Sequence, residues 1–349
     1  MRMESSVAAQ GLGSAVSRKE SVTLGQCAGG PWHPGEGSLP AVRHPAMSIM
    51  GVGKSRKGAE AAVEAVFTVC GILAVAAAAA IAIYMIVSGF PAIRKVGIKE
   101  ILLGTQWKPT AEQPRYGILY VVLTSLGGTI LALLTGVPVG ILTAVYLAEF
   151  SGRKRAGLVR GAIELLAGIP SVVYGLLGIY LLTPLVYRLE RKIFQGSDTH
   201  RYTGGACLLS AVLVLALMML PTVISVSEAS IRAVAPGIRE ASLALGATRI
   251  QTVFRAVLPS ARGGIATAAV LGAGRAVGEA MAITLVSGGS VNLPFPFSSV
   301  RFLTTAIVSE MGYARGTHRQ MLFAIGLVLL VFVMGINGAV GRILRKGED

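Results

Sequence analysis

Charge is what this sequence has least of: only 14% of its 349 residues are Asp, Glu, Lys or Arg, where a soluble domain carries about 25%. Acidic residues are the scarcer sign, 17 against 32 basic, leaving a net charge of +15. The four histidines and three cysteines (Cys27, Cys70 and Cys207) show no metal-ligand spacing, and two of the cysteines lie in or beside apolar runs, where a free thiol is an inert packing group. Paired acidic motifs are also missing, which argues against a catalytic cluster and so against a polytopic membrane enzyme. The positive balance suggests nucleic acid at first sight, but no soluble basic domain exists to bind it.

What is present is apolar and clustered. Hydrophobic residues make up 53% of the chain and the mean hydropathy is +0.67. Six runs stand free of charge or nearly so, namely 65–93, 116–148, 165–187, 202–227, 280–300 and 320–341. A helix needs about 20 apolar residues to cross the hydrocarbon core, and each run is long enough. The fifth span is expected to start earlier, near Gly263. The reading is an all-α membrane protein with six transmembrane helices at about 65–90, 117–148, 160–187, 204–227, 263–287 and 320–342. With the N-terminus inside, 19 Lys/Arg fall on the cytoplasmic side and 12 outside, a modest bias in the usual direction. The clusters "GKSRKG", "GRKRAG" and "RILRKG" all fall inside, which places both termini there.

Residues 1–46, with "GGPWHPGEGSLP", carry no helical or strand period and are expected to be disordered. They lack the basic-then-apolar order of a signal peptide. "MSIMGVGKSRKGAE" from Met47 leads directly into the first span, so the tail is read as an overlong start. The domain division is therefore a cytoplasmic tail at 1–58 and a membrane domain at 59–346. "GVGKS" at Gly51–Ser55 imitates a phosphate-binding loop, but its first glycine would have to be Ser48 and no strand precedes it. Nucleotide binding and ATP hydrolysis by this chain are accordingly not expected. Gly and Pro punctuate the spans around Pro138, Pro170 and Pro184; at Pro138 an ordinary kink and a pathway role weigh equally, while Pro170 favours a pathway.

The connector from Ser227 to Arg262 is far longer than two spans require. Pro236 ends one helix, "IREASLAL" forms a short helix stopped at Gly246, and Thr248 is placed to cap "RIQTVFRAVLP", which ends before Pro259. Ile250, Val253, Phe254 and Val257 recur at helical spacing and form an apolar stripe available to a partner. The stretch 228–262 is thus two short helices at the cytoplasmic surface.

The order Glu240-Ala241, Gly246, then Leu258-Pro259 resembles the signature loop of ABC importer permeases: Glu-Ala-Ala, a glycine four residues on, and Ile-x-Leu-Pro beyond. Ser242 and Ala256 depart from it. The resemblance implies a coupling element that docks on an ATPase subunit, with Glu240, Ala241, Gly246, Leu258 and Pro259 as its residues. "ELLAGIPSVVYGLLGIY" (164–180), "LGAGRAVGEAMAITLVSGG" (271–289) and "AIGLVLLVFVMGINGAVGR" are similar to phosphate importer permeases of the PstC type. That family implies a type I (MetI-like) permease fold and a heterodimer with a second permease of PstA type. It further implies two ATP-binding subunits of PstB type, an extracytoplasmic phosphate-binding protein of PstS type, a setting in membrane lipid, and no cofactor.

Arg275 and Glu279 sit inside the fifth span, where a charge is costly and usually marks a pathway. Four residues apart, they are expected on one helix face, Glu279 orienting the arginine and keeping the empty site from being an unpaired cation. A guanidinium offers planar paired donors to an oxyanion, and the resemblance assigns both positions to transport. Other oxyanions, molybdate or tungstate, form the alternative substrate class; a stand-alone channel would leave the long loop unexplained. Deleting residues 1–46 removes no packed element, so a chain starting at Met47 should insert and transport like the full one. Loss of membrane insertion by that truncation, measured by fractionation, would show a role for the tail.

Overall fold

The computed structural model describes residues 54–196 and 200–345. The segment expected to be a disordered tail lies outside the described residues up to position 53, as does Cys27; from Lys54 onward that segment is already helix. The chain divides into two units, 1–65 and 66–349, and the second carries the packed body. Helix α1 (Lys54–Val96) is 43 residues long, about 65 Å at 1.5 Å per residue, roughly twice the hydrocarbon core. A short α2 (Ile98–Leu103) and a two-stranded hairpin follow, β1 (Trp107–Lys108) pairing antiparallel with β2 (Arg115–Tyr116).

The next helices build the body. Helix α3 (Leu119–Val145) runs through Pro138 and ends in a π-turn at Tyr146–Phe150. Helix α4 (Arg153–Gly168) stops at Ile169-Pro170, and α5 (Ser171–Leu177) continues through a π-turn at Gly178–Leu182 into α6 (Thr183–Ile193). Helix α7 (Leu208–Arg232) leads to the loop helices α8 (Pro236–Ala244), α9 (Arg249–Thr252) and α10 (Leu258–Ser260), the last two joined by a π-turn at Val253–Val257. Helices α11 (Arg262–Gly278), α12 (Met281–Val286), α13 (Leu303–Glu310) and α14 (Gly316–Arg345) complete the order.

Five of these helical stretches are long and apolar enough to cross a membrane, and the α9–α10/α11 pair, bent by 70°, raises the number to as many as six. Two expected spans are corrected. The third does not run from 160 to 187 as one helix, because Pro170 denies the chain a donor and holds Ile169 extended; the spanning stretch is Ser171–Ile193. The fifth is interrupted at Glu279-Ala280, and the apolar run after it does not stay helical to 300. Pro184 and Pro259, by contrast, end nothing. Each sits just past a π-turn, whose wider ring accommodates the missing N–H, so the last loop helix runs on to Ser260.

Helix α7 is the centre of the body: 61% of its apolar stretch is buried, against 0% of that of α1. It packs on α3 and α11, and small residues let the backbones approach. A Cβ added to Gly136 would stand 2.7 Å from Met219 Sδ, one on Gly140 2.6 Å from Val223 Cγ1, and one on Gly272 2.9 Å from Val223 Cγ2. Cys207, fully buried, is the residue that opens α7, whereas Cys70 faces outward from α1.

At the end of the body that carries the hairpin, two buried carboxylates collect donors. Glu310 accepts Trp107 Nε1 at 3.0 Å on both oxygens, His318 Nε2 at 2.7 Å, and Arg301. Glu190 accepts from His200 at 2.9 Å and from the Thr203 N–H at 3.0 Å, with His200 stacked on Phe194 at 3.7 Å. Gly140→Val should overfill the α3–α7 contact, costing about 1–3 kcal/mol and lowering the melting temperature in detergent. Gly71→Val on α1, where nothing lies within 4 Å, is the control. Equal melting of the two variants would contradict this packing.

Candidate functional site

Two places concentrate chemistry, the helix break at Glu279 and the loop 233–261. At the break, Gly278 closes α11 and Glu279 turns extended (φ −75°, ψ 130°). Breaking a helix strands backbone groups that no water reaches in lipid, and side chains answer here. Glu279 Oε1 accepts the Ala282 N–H at 3.0 Å, capping α12, and the Glu279 carbonyl accepts the Thr304 hydroxyl at 2.7 Å.

The expected Arg275–Glu279 pair is therefore not formed. The two residues do not lie on one continuous helix face, and among the described residues no ion pair joins them. The physical reason is that α11 ends at Gly278, so the extended Glu279 leaves the face that carries Arg275 and its Oε1 accepts the Ala282 N–H instead. Arg275 stands on the last turn of α11, exposed, with its charge felt at the phenol of Tyr174. Tyr174 is buried in α5, and its hydroxyl donates to the Leu166 carbonyl at 2.7 Å, bridging the second break at Ile169-Pro170. Helix α5 lies against α12 so closely that a Cβ on Gly175 would stand 2.9 Å from Ala282 Cα. The structure thus brings two helix breaks and one exposed guanidinium into one neighbourhood. Tyr174 and Thr304 escaped the sequence reading because nothing local marks them.

In the loop, two sequence-level expectations hold, the glycine turn at Gly246 and the cap at Thr248, while the helix expected to stop before Pro259 runs on to Ser260. Gly246 has φ +84°, a conformation a side chain resists. Its N–H donates to the Leu243 carbonyl at 2.9 Å, and that of Ala247 to Ser242 at 3.2 Å, a complete C-terminal cap. Thr248 caps α9 reciprocally with Gln251. Ser242, one of the two departures from the resemblance, hydrogen-bonds Thr252 at 3.0 Å and ties α8 to α9. Glu240, Ala241, Gly246 and Pro259 are exposed and Leu258 half-buried. The apolar stripe splits: Val253 (1% exposed) and Val257 (0%) enter the core, while Ile250 (62%) and Phe254 (50%) face outward beside Leu245 (89%). The π-turn rotates the stripe, so half of it packs inward.

Arginines missed by sequence reading hold the loop to the body. Arg239 donates to Glu149 Oε1 through Nε at 3.0 Å and Nη2 at 2.8 Å, and Arg249 donates to the Glu149 carbonyl while lying 5.5 Å from the centre of the Phe150 ring. Buried Glu228 accepts Arg160 Nε and Arg232 Nε, each at 2.9 Å, and fastens α4 to α7. The Glu228 hydrogen bond raises Arg160 above the usual guanidinium value. A cavity of about 320 Å³ opens beside it.

A polytopic helical body with a broken spanning helix and a structured, exposed loop between two spans fits a membrane permease. Residues 136–346 match the family of binding-protein-dependent transport system inner membrane components, and the chain belongs to that family. It is 37% identical to the probable ABC transporter permease protein YqgH of Bacillus subtilis, over 76% of this chain and 84% of that one. It is 33% identical to the phosphate transport system permease protein PstC of Haemophilus influenzae, over 72% of this chain and 82% of that one. Among solved structures, a bacterial alginate ABC transporter in complex with an alginate-bound periplasmic protein shares the fold, with TM-score 0.52 and 18% identity over 73% of this chain and 85% of that one. The protein is thus an ABC importer permease subunit of the MetI-like fold, a multi-pass inner-membrane component.

Gly246→Val places a β-branched residue at positive φ. The α8–α9 turn should loosen, so limited proteolysis between Leu245 and Thr248 should quicken while the spans still insert. Unchanged protease resistance would show that the turn does not need glycine.

Proposed function

We propose that this chain is one of the two permease subunits of an ATP-driven importer for inorganic phosphate. The similarity to PstC permeases over nearly three quarters of the chain carries the substrate assignment. The chemistry at the break supports it: an exposed guanidinium with no carboxylate paired to it among the described residues keeps its paired donors for an oxyanion. Arg275 is the anion-facing residue of the pathway, and Glu279 holds the break beneath it.

The loop is the coupling element. Ile250, Phe254 and Leu245 supply an exposed apolar patch, and Glu240, Ala241, Gly246, Leu258 and Pro259 shape the surface an ATP-binding subunit would grip. The partners are a second permease of PstA type, two ATP-binding subunits of PstB type and an extracytoplasmic phosphate-binding protein of PstS type. ATP hydrolysis belongs to the ATP-binding subunits. The loop and both termini lie in the cytoplasm, as the basic clusters flanking the spans favour.

The test is ATP-dependent uptake of labelled phosphate by the assembled complex in liposomes, with molybdate as competitor. Uptake blocked by a small excess of molybdate would move the assignment to another oxyanion. In the same assay Arg275→Gln should abolish uptake or cut it at least tenfold, the loss of about 1.4 kcal/mol or more of charged hydrogen bonding, with assembly intact. Arg275→Lys keeps the charge without the planar fork and should retain only part of the rate. Wild-type uptake by Arg275→Gln would remove this residue from the pathway.

A further inference from the structure

Helix α13 (Leu303–Glu310) is too short to cross a membrane and yet Leu303, Thr304, Thr305, Ala306 and Glu310 on it are buried. Each of its ends is bonded to something different. At the first, the Thr304 hydroxyl donates at 2.7 Å to the carbonyl of Glu279, the residue that breaks the helix beside Arg275. At the other, the Glu310 carboxylate gathers Trp107 from the hairpin, Arg301 from the preceding loop and His318 from α14. The two ends are six residues apart, about 9 Å along the axis at 1.5 Å per residue. The Leu303 N–H donates to Ser125 Oγ at 2.8 Å, fastening the same helix to α3.

Thr304 is only 8% exposed, and valine would fill its place without a polar atom to satisfy. Its hydroxyl has one evident task. With Glu279 extended, that residue's carbonyl is turned out of the helix and needs a donor from elsewhere. Thr304 supplies it, and Glu279 in turn caps α12. Removing the hydroxyl leaves the break held from one side only.

We propose that Thr304 is a positioning residue for Arg275: it fixes the break through the Glu279 carbonyl, and α13 relays to that break the state of the hub around Glu310. The inference rests on the reading of Arg275 as the pathway residue. It adds a residue and a mechanical link between the hairpin end of the body and the anion-facing guanidinium.

The test uses the assembled complex in liposomes with Thr304→Val, Thr304→Ser and Trp107→Phe. Thr304→Val should cut the maximal uptake rate about tenfold, as expected for a buried acceptor left without its donor, while the half-saturating concentration of loaded binding protein stays within about twofold. Thr304→Ser restores the hydroxyl and should recover most of the rate. Trp107→Phe removes one donor from Glu310, and combined with Thr304→Val it should cost less than the product of the two single losses, because both act through α13. A second readout does not depend on the substrate: thiol labelling of Ala280→Cys at the break, in a chain with Cys27, Cys70 and Cys207 replaced. Labelling should be several times faster with Thr304→Val and with Trp107→Phe than without either, and normal with Thr304→Ser. Unchanged labelling in Thr304→Val, or a serine variant as impaired as valine, overturns the role of Thr304. Strictly multiplicative losses in the double variant overturn the relay. Should the wild-type complex move no phosphate, the substrate reading fails, while the labelling comparison still decides for or against Thr304.

Discussion

Away from water, a backbone N–H or C=O without a partner is costly enough that irregular chain survives only where something bonds it. That constraint organises this protein. The break at Glu279 exists because its own carboxylate receives the Ala282 N–H and Thr304 supplies its carbonyl. The break at Ile169-Pro170 exists because Tyr174 reaches back to the Leu166 carbonyl. Pro184 and Pro259 stay inside helical stretches because a π-turn precedes each. Each of these departures from a straight helix has its own identified answer, and Arg275 stands on the one that uses most side chains.

Charges obey a related rule. Glu149 and Glu228 are bonded at the loop end of the body, Glu190 and Glu310 at the hairpin end, each to arginine or histidine. Such pairs add little net stability once desolvation is counted, but breaking one is costly, so they hold a particular geometry. Between the two ends α3, α7 and α11 meet through glycines and aliphatic side chains with no polar interlock of that kind among the described residues. The ends are pinned by directional contacts and the middle by shape.

Much of this was legible in the residues. Runs of twenty or more apolar residues announced the spanning helices, and the glycine of the loop announced a turn only glycine adopts easily; φ +84° at Gly246 is that turn. The capping signature at Thr248 was equally local. What failed were inferences that assume a continuous helix. Spacing of four placed Arg275 and Glu279 on one face, but Gly278 releases the helix just before the carboxylate. The stripe Ile250–Val257 was recognised as apolar, yet the π-turn within it decides which members face the core. Contacts such as Arg239–Glu149 and Trp107–Glu310, 90 and 203 residues apart, leave no mark on spacing at all.

The loss of the expected ion pair sharpens the functional reading. An arginine locked to a neighbouring carboxylate would have to be released before it could receive an anion, and the anion would compete with a partner held at high effective concentration. Glu279 instead spends its charge on the first turn of α12. Its carboxylate forms no ion pair with Arg275 among the described residues, so it does not occupy the guanidinium's donors. Arg275 is itself exposed on the surface of the single chain, on the last turn of α11. A fixed break, a guanidinium not locked to a carboxylate and an open face are the features on which the proposal of Arg275 as an oxyanion-binding residue rests.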